Sequence, residues 1–261
     1  MKFHKLIKYL QYWIFSRHSN GHGIHSPFIF NIVSELFRNK SNDDIVCTIE
    51  KVRETLIRDK RIIRVHDLGS GQNKKQVSRK VSEIARYSAV TKKYGLLLSN
   101  LAAEFGRENI IELGTSLGIS TMYLASGCPG TAVHTIEGCP ECSDIARDNI
   151  SGTGFENVHV ITGSFDEKLP ALLAEGIKPG LVFIDGNHRY SSTIGYFNMI
   201  MKISDEQTVF VFDDIHNSVD MSQAWVSIIN DERVTATIDI HRMGIVFLKK
   251  GITKGNYTIR Y

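Results

Sequence analysis

The sequence predicts an α/β fold built on a mostly parallel sheet, and three observations carry that prediction. First, apolar runs and helical segments alternate from Asn109 onward. Strands are expected at 109–113, 131–136, 157–162, 180–184 and 207–212, and helices near 118–126, 140–151, 167–176, 189–203 and 218–230. Alternation of this kind implies right-handed crossovers and helices on both faces of the sheet. Second, two final runs, 233–240 and 244–250, are joined by a tight connection at Met243-Gly244 with no helix between them, so they read as an antiparallel pair. Third, Ile110-Ile111-Glu112-Leu113-Gly114-Thr115-Ser116-Leu117-Gly118-Ile119-Ser120-Thr121 reads as a strand, a tight turn bounded by two glycines and a helix start.

That third stretch is where a ligand would sit. Gly114 permits close backbone approach, and the amides opening the following helix suit an anionic group. Glu112 lies at the end of the strand, where it can meet a cation or a ligand amine. Glu137 stands 23 residues beyond Gly114, at the end of the run Ala132-Val133-His134-Thr135-Ile136. An acid in that place grips ribose hydroxyls in doubly wound nucleotide folds. The spacing of Gly114 and Gly118 is GxxxG, not the GxGxxG of dinucleotide enzymes.

In open parallel sheets the ligand lies beyond the carboxyl ends of the strands. The third strand ends in Thr162-Gly163-Ser164-Phe165, where the side chain after the glycine would flank an adenine. The fourth ends in Phe183-Ile184-Asp185-Gly186-Asn187-His188-Arg189-Tyr190, and the fifth in Val211-Phe212-Asp213-Asp214-Ile215-His216. Adjacent strands lie about 5 Å apart, which brings Asp185 and the Asp213-Asp214 pair to one edge. Three close carboxylates repel unless a cation joins them, and Mg²⁺ or another hard divalent ion is the natural partner. His188, three residues beyond Asp185, can take a proton from a substrate hydroxyl. Capping of the helices that follow both strands is the plainer account of each aspartate. It explains one acid per strand, and explains the doublet beside a DGxH sequence less well. His216 reads as structural or as a support behind the site residues, Trp225 and Tyr190 as packing.

Upstream, residues 1–34 contain no Asp or Glu. Phe3, Leu6, Ile7, Leu10, Trp13 and Ile14 recur at helical spacing, with Lys2, Lys5 and Lys8 on other faces. This is core spacing, for a helix packed on its own domain or on a second subunit; a membrane-surface or partner helix is the alternative. A loop with two histidines, Gly21-His22-Gly23-Ile24-His25-Ser26-Pro27, leads into a helix at 28–37, and 43–60 also reads as helix. Val65-His66-Asp67-Leu68-Gly69-Ser70-Gly71 imitates the glycine turn, but Lys74 through Phe105 is expected to be helical throughout, so no second strand follows it. It reads as a glycine-rich connection between helices.

Composition narrows the function classes. With 261 residues, 42% hydrophobic and 23% charged, the chain suits one core domain with an appendage. A net charge of +3 is too small for a dedicated nucleic-acid binder. Four cysteines, Cys47, Cys128, Cys139 and Cys142, do not make a disulfide scaffold; Cys139 and Cys142 form one CxxC, expected to pack where a helix begins rather than to hold zinc. No run approaches membrane-span length and no signal peptide is evident, so a cytoplasmic protein without stable membrane insertion is expected.

Glu112-Leu113-Gly114-Thr115-Ser116-Leu117-Gly118 resembles the first motif of class I S-adenosylmethionine (SAM) methyltransferases, and Tyr94-Gly95-Leu96-Leu97-Leu98 resembles a stretch that lines the SAM pocket in several O-methyltransferase families. Asp185-Gly186-Asn187-His188-Arg189-Tyr190 together with Phe212-Asp213-Asp214-Ile215-His216 looks like the DGxHxY and DD elements of the methyltransferase 24 family, related to metal-dependent O-methyltransferases of sugar hydroxyls and catechols. The related catechol enzymes carry Asp-Asn where Asp213-Asp214 stands. The resemblance covers about residues 90–250. It implies a Rossmann-like, seven-stranded, mostly parallel sheet of order 3-2-1-4-5-7-6, in a domain at 91–261 preceded by a helical extension at 1–90. It implies SAM held by Glu112, Gly114, Thr115, Ser116, Gly118, Glu137, Ser164, Phe165 and Asp185. Asp185, Asp213 and Asp214 would ligate a divalent cation, and His188 with Asp185 would be catalytic. The expected reaction is methyl transfer to a hydroxyl of a small molecule or glycan precursor, with a homodimer through the N-terminal helices as an open expectation. N-methyl transfer and a non-catalytic SAM-binding scaffold stand as alternatives; a nicotinamide dehydrogenase fits least.

Overall fold

The computed structural model describes residues 2–16, 24–38, 43–66 and 76–261. In chain order the elements begin with α1 (Lys2–Phe15), α2 (Pro27–Asn31), α3 (Asp43–Arg58), β1 (Ile62–His66), β2 (Gln76–Lys80), α4 (Val81–Tyr87) and α5 (Lys92–Phe105). The repeating part follows: β3 (Asn109–Leu113), α6 (Ile119–Gly127), β4 (Ala132–Glu137), α7 (Pro140–Ser151), β5 (Val158–Thr162), α8 (Phe165–Ala174), β6 (Pro179–Ile184), α9 (Tyr190–Met201), β7 (Val209–Phe212), α10 (Val219–Ile229), β8 (Ala236–Asp239), β9 (Gly244–Phe247) and β10 (Gly255–Thr258). The main sheet runs β10-β8-β9-β7-β6-β3-β4-β5. Counted from β3, this is the expected order 3-2-1-4-5-7-6 with an eighth strand added at the edge. β8 pairs antiparallel with β9, as the Met243-Gly244 connection implies.

Two expectations are corrected. Residues 76–80 form a strand rather than helix, pairing antiparallel with β1 from Ile62↔Lys80 to His66↔Gln76, and the chain also breaks between α4 and α5. Arg-Lys-rich β2 offers no apolar run, so its strand character comes from its partner. The imitation glycine motif falls between β1 and β2 in the chain, and its residues 67–71 lie outside the described residues, as do 21–23 of the histidine loop. The missed eighth strand, β10, pairs parallel with β8. Its four residues carry a glycine and an asparagine, and Asn256 Oδ1 accepts from Thr237 Oγ1 at 2.8 Å.

The chain divides into two compact units, Lys40–Pro179, and Met1–Asn39 with Gly180–Tyr261. In the first, β3, β4 and β5 pair in parallel register. Ile110, Ile111, Leu113, Val133 and Ile136 are fully buried on those strands, and Met122, Tyr123, Leu124 and Ala125 on α6. Helices α5 and α6 pack closely because glycines stand at the crossing: a Cβ on Gly95 would overlap the Tyr123 ring, and one on Gly127 would overlap the Ser99 carbonyl oxygen. A backbone oxygen cannot rotate away as a side chain can. Gly127→Ala is therefore expected to destabilise by about 1–3 kcal/mol, the usual range for overpacking, read as a lowered urea midpoint; an unchanged midpoint would mean the two helices have room to part. Cys139 and Cys142 are buried free thiols at the start of α7, with Cys139 Sγ donating to the Arg64 carbonyl, so the packing role expected of the CxxC pair holds.

In the second unit, β6 and β7 are parallel and β7 pairs antiparallel with β9. Phe183, Phe210, Phe212 and Phe247 are buried, and the Trp225 ring lies where a Cβ on Gly244 would be, which is the packing expected of it. Tyr190 instead is exposed, its hydroxyl tied to Ser227 Oγ at 3.1 Å. Helix α1 is docked the opposite way from its apolar spacing. His4, Lys8 and Tyr12, four apart, form its half-buried line, continued by Ser16 just past its end: His4 Nε2 meets Ser222 Oγ at 3.0 Å, and Tyr12 donates to the Ile259 carbonyl at 2.8 Å. Leu6, Ile7, Leu10, Trp13 and Ile14 stay exposed.

Candidate functional site

In the unit Lys40–Pro179 the glycine turn follows β3. Gly114 has φ 111° and Gly118 φ 86°, both in the region that favours glycine, and Ser116 takes φ 50° despite its side chain. Gly118 starts α6 with no side-chain cap, which leaves the first-turn amides to solvent or a ligand. Asn149 Nδ2 holds the turn by donating to the Leu117 carbonyl at 2.9 Å. At the end of β4, Glu137 Oε2 accepts from the Ser116 amide at 2.7 Å and Oε1 from the Cys139 amide at 2.8 Å. Burial raises its pKa above the usual carboxylate range, against the pull of those backbone donors. Each carboxylate oxygen can accept a second bond, so the acid keeps capacity for hydroxyl donors. Ser164 opens α8 and Phe165 is half-buried beside it, both following Gly163 at φ 148°.

Glu112 and Thr115 sit apart from this edge. Glu112 is fully buried; its Oε2 accepts from the hydroxyls of Thr121 and Thr135, and Thr115 Oγ1 bonds to Thr135 Oγ1. The other oxygen, Oε1, has no hydrogen-bond partner. The role these contacts give Glu112 is to tie β3, β4 and α6 together, rather than to meet a ligand amine. Burial raises its pKa, with the hydroxyl bonds opposing. The sign follows from linkage: a folded-state value above the unfolded 4.5 means a stabilising contribution that is complete below pH 4.5 and is lost as pH rises through the raised folded value. Glu112→Gln, which cannot ionise at this position, is expected to lose less stability than the wild type through that window, because only the other raised acids remain to titrate. Urea unfolding of both proteins at several pH values checks this, and a difference between them that stays constant with pH would refute it.

In the other unit the acids stand at the ends of β6 and β7. The register pairs Ile184 with Phe212, so Asp185 and Asp213 leave adjacent strands together, and the Asp213 amide donates to the Ile184 carbonyl at 3.0 Å. None of the three aspartates caps a helix: the cap positions are Arg189 for α9 and Ser218 for α10, where Ser218 Oγ accepts from the Met221 amide. The capping account therefore falls. His188 Nε2 lies 3.5 Å from Asp185 Oδ1, with a third of the His188 side chain exposed. Asp214, at φ 56°, accepts from Asn217 Nδ2 at 3.0 Å. Burial and then the Asp213 charge raise its pKa, while His188, Arg242 and Lys5 pull it down.

The residue that sequence reasoning missed is Arg242. It lies in the turn joining β8 to β9, where Ile240 N–H donates to the Met243 carbonyl and His241 takes φ 69°. Its Nε lies 2.9 Å from Asp213 Oδ1 and its Nη2 2.7 Å from Oδ2, a two-pronged ion pair with a carboxylate only 1% exposed. Burial disfavours the guanidinium charge, but the bonds to Asp213 and the fields of Asp213, Asp185 and Asp214 outweigh it and hold its pKa above the ordinary arginine value. Around the same turn, Asp239 joins His216 Nε2 at 2.7 Å and the His241 amide at 2.8 Å, which gives His216 the structural role expected of it.

The expected metal set of Asp185, Asp213 and Asp214 includes a carboxylate that already has a partner. Asp213 gives both oxygens to Arg242, and among the described residues no group of three His, Cys, Asp or Glu side chains is disposed to hold a metal ion. Of the three aspartates, Asp213 is the one seen paired with a guanidinium.

Residues 111–215 match the methyltransferase 24 family, described as a methyltransferase domain. A catechol O-methyltransferase of Niastella koreensis is 32% identical over 130 residues, 49% of this chain and 58% of that protein. One of Mycobacterium tuberculosis is 31% identical over 129 residues, 49% of this chain and 57% of that protein. The chain thus spans under three fifths of the length of these curated relatives. The crystal structure of a Bacillus cereus O-methyltransferase in complex with S-adenosylhomocysteine (SAH) superposes with a TM-score of 0.58 at 22% identity, covering 84% of this chain and 97% of that one. Residues 111–215 thus resemble the methyltransferase 24 family, and the chain shares its Rossmann-like α/β fold with solved O-methyltransferases.

Proposed function

We propose that the chain is a SAM-dependent methyltransferase acting on a hydroxyl oxygen of a small molecule or glycan precursor, with residues 91–261 as its catalytic domain and 1–90 as an accessory part. The observation that carries this reading is the clasp of Glu137 on the Ser116 amide, beside a helix that begins uncapped. The backbone of Gly114, Ser116 and Gly118 would hold the amino-acid end of SAM, Glu137 its ribose hydroxyls and the Ser164-Phe165 turn its adenine. When bound, the sulfonium supplies an electrophilic methyl group, so the protein's task is to align the acceptor and relieve it of a proton. His188 is the base for that proton, with Asp185 orienting the ring. The names of the relatives support oxygen as the acceptor atom.

Calorimetric titration with SAM and SAH should find one site per chain. Glu137→Ala is expected to weaken it by about 1.5–3 kcal/mol, the scale of bonds lost to a charged group. Absence of binding to either compound, alongside binding of NADH, would overturn the reading.

The outward stripe of α1 bears on partners. Trp13 is 58% exposed and Ile14 65%, and apolar patches of this kind mark contact surfaces. A lipid-surface helix turns its polar face to water, whereas the polar line of α1 is docked on its own unit. We therefore propose a second copy of the chain as the occupant. Sedimentation equilibrium should show a dimer that Leu10→Glu converts to monomer; flotation of the wild type with anionic vesicles would assign the stripe to lipid instead. Among the described residues no helix is long and apolar enough to cross a membrane.

A further inference from the structure

We propose that Arg242 takes the place of a divalent cation in this acid cluster, so that the site works without a metal and the guanidinium holds the acceptor oxygen as its negative charge develops. Asp213 is almost wholly buried, and a buried carboxylate requires a permanent partner. Arg242 supplies it through two bonds whose planar fork matches the carboxylate, and a guanidinium does not lose its proton near neutrality. The fields of Asp185 and Asp214 also favour its charge, beside the direct pair with Asp213. Asp214 has a protein donor of its own in the Asn217 amide group. A divalent ion entering this cluster would meet a fixed positive charge and would have to strip Asp213 of a two-pronged partner.

The position is set by the fold rather than by chance rotation of a long side chain. Strand β9 pairs with β7 through Phe212↔Gly244, and the Ile215 amide donates to the Arg242 carbonyl at 3.2 Å. The tip of the β8–β9 turn is thereby laid along the end of β7, where the acid doublet emerges. His241 at positive φ and the Asp239 bond to its amide fix the turn. About a quarter of the Arg242 side chain remains exposed, which leaves it accessible to a ligand while Asp213 stays covered.

The use of this charge on an acceptor rests on the methyltransferase reading; the replacement of a metal does not, and the test reads the replacement alone. Mn²⁺ is titrated into the whole protein and free Mn²⁺ followed by electron paramagnetic resonance, with circular dichroism and SAH calorimetry as checks on folding. Wild type should show no stoichiometric site up to millimolar Mn²⁺. Arg242→Gln, which removes the cation and leaves the acids, should gain one site at least tenfold tighter, and Arg242→Gln with Asp213→Asn should lose it again. Stoichiometric Mn²⁺ binding by wild type, displaced by Mg²⁺, would overturn the proposal, and this arm needs no variant to fold. Absence of binding by a folded Arg242→Gln would overturn it as well, since the acids would then be no cation site for Arg242 to replace. A failed SAH titration with this Mn²⁺ pattern intact would instead remove the methyltransferase reading and leave the ion replacement standing.

Discussion

Arg242→Ala is expected to lower stability by about 3–5 kcal/mol, because it strands the Asp213 charge in an environment that water barely reaches. The comparison with a surface pair decides the size. Exposed ion pairs contribute about 0–1 kcal/mol, since water and salt replace the lost partner; Asp213 at 1% exposure has no such substitute. Removing both charges should therefore be much milder than removing one. Asp213→Leu with Arg242→Met keeps the volume and leaves nothing buried and unpaired, so it is expected to recover most of the loss. Urea unfolding of the two single variants and the double variant measures this. A loss below about 1 kcal/mol for Arg242→Ala would mean that water enters once the guanidinium is gone.

The repeating βα units were legible because their signals are local. Each strand from β3 to β7 is a short apolar run that ends at a glycine or an acid, and each following helix begins within a few residues of it. Strand β3 falls at 109–113 and α7 at 140–151, the expected bounds. The elements that were not legible depend on a partner. β2 and β10 hold a strand conformation because β1 and β8 supply the hydrogen-bonded edge, and neither has an apolar run of its own to announce it. The outward turn of α1 is of the same kind. Its apolar spacing marks a face, but which face docks is decided by His4 and Tyr12 finding Ser222 and the Ile259 carbonyl far along the chain.

The acids at the site were legible as acids, but not as to what neutralises them. Asp185, Asp213 and Asp214 were placed by the ends of their strands, which the sequence marks clearly. Arg242 is a single cation in a turn, 28 residues after Asp214 in the chain, and only the register of β9 on β7 brings it there. A signal existed. With order 5-7-6, the hairpin turn must return to the end of the fifth strand, and a cation two residues before the last strand then falls opposite the doublet. Glu112 shows the reverse case: a carboxylate at a strand end reads as a ligand group, while its observed partners are the buried hydroxyls of Thr121 and Thr135.

His188→Ala is expected to slow methyl transfer by about 10²–10⁴-fold, the contribution of a positioned base, while leaving SAM affinity within about twofold. The two readouts separate because the proposed cofactor contacts are made by other residues: the 114–118 turn, Glu137 and the Ser164-Phe165 turn. His188 is not a core residue; a third of its side chain is exposed, and its partner within the site is Asp185 at 3.5 Å. Its loss therefore should not unfold the chain, and the thermal midpoint serves as the control. Asp185→Asn keeps the shape of that partner and removes its charge, so it should slow transfer less than loss of the ring itself. The measurement uses SAM labelled in the methyl group with catechols, phenols and sugars as acceptors, first to find an acceptor and then to compare rates with and without added imidazole. Partial recovery of His188→Ala by imidazole would identify the missing group as the proton acceptor. A wild-type rate in His188→Ala with the acceptor so found would remove histidine from the mechanism and leave the proton to solvent.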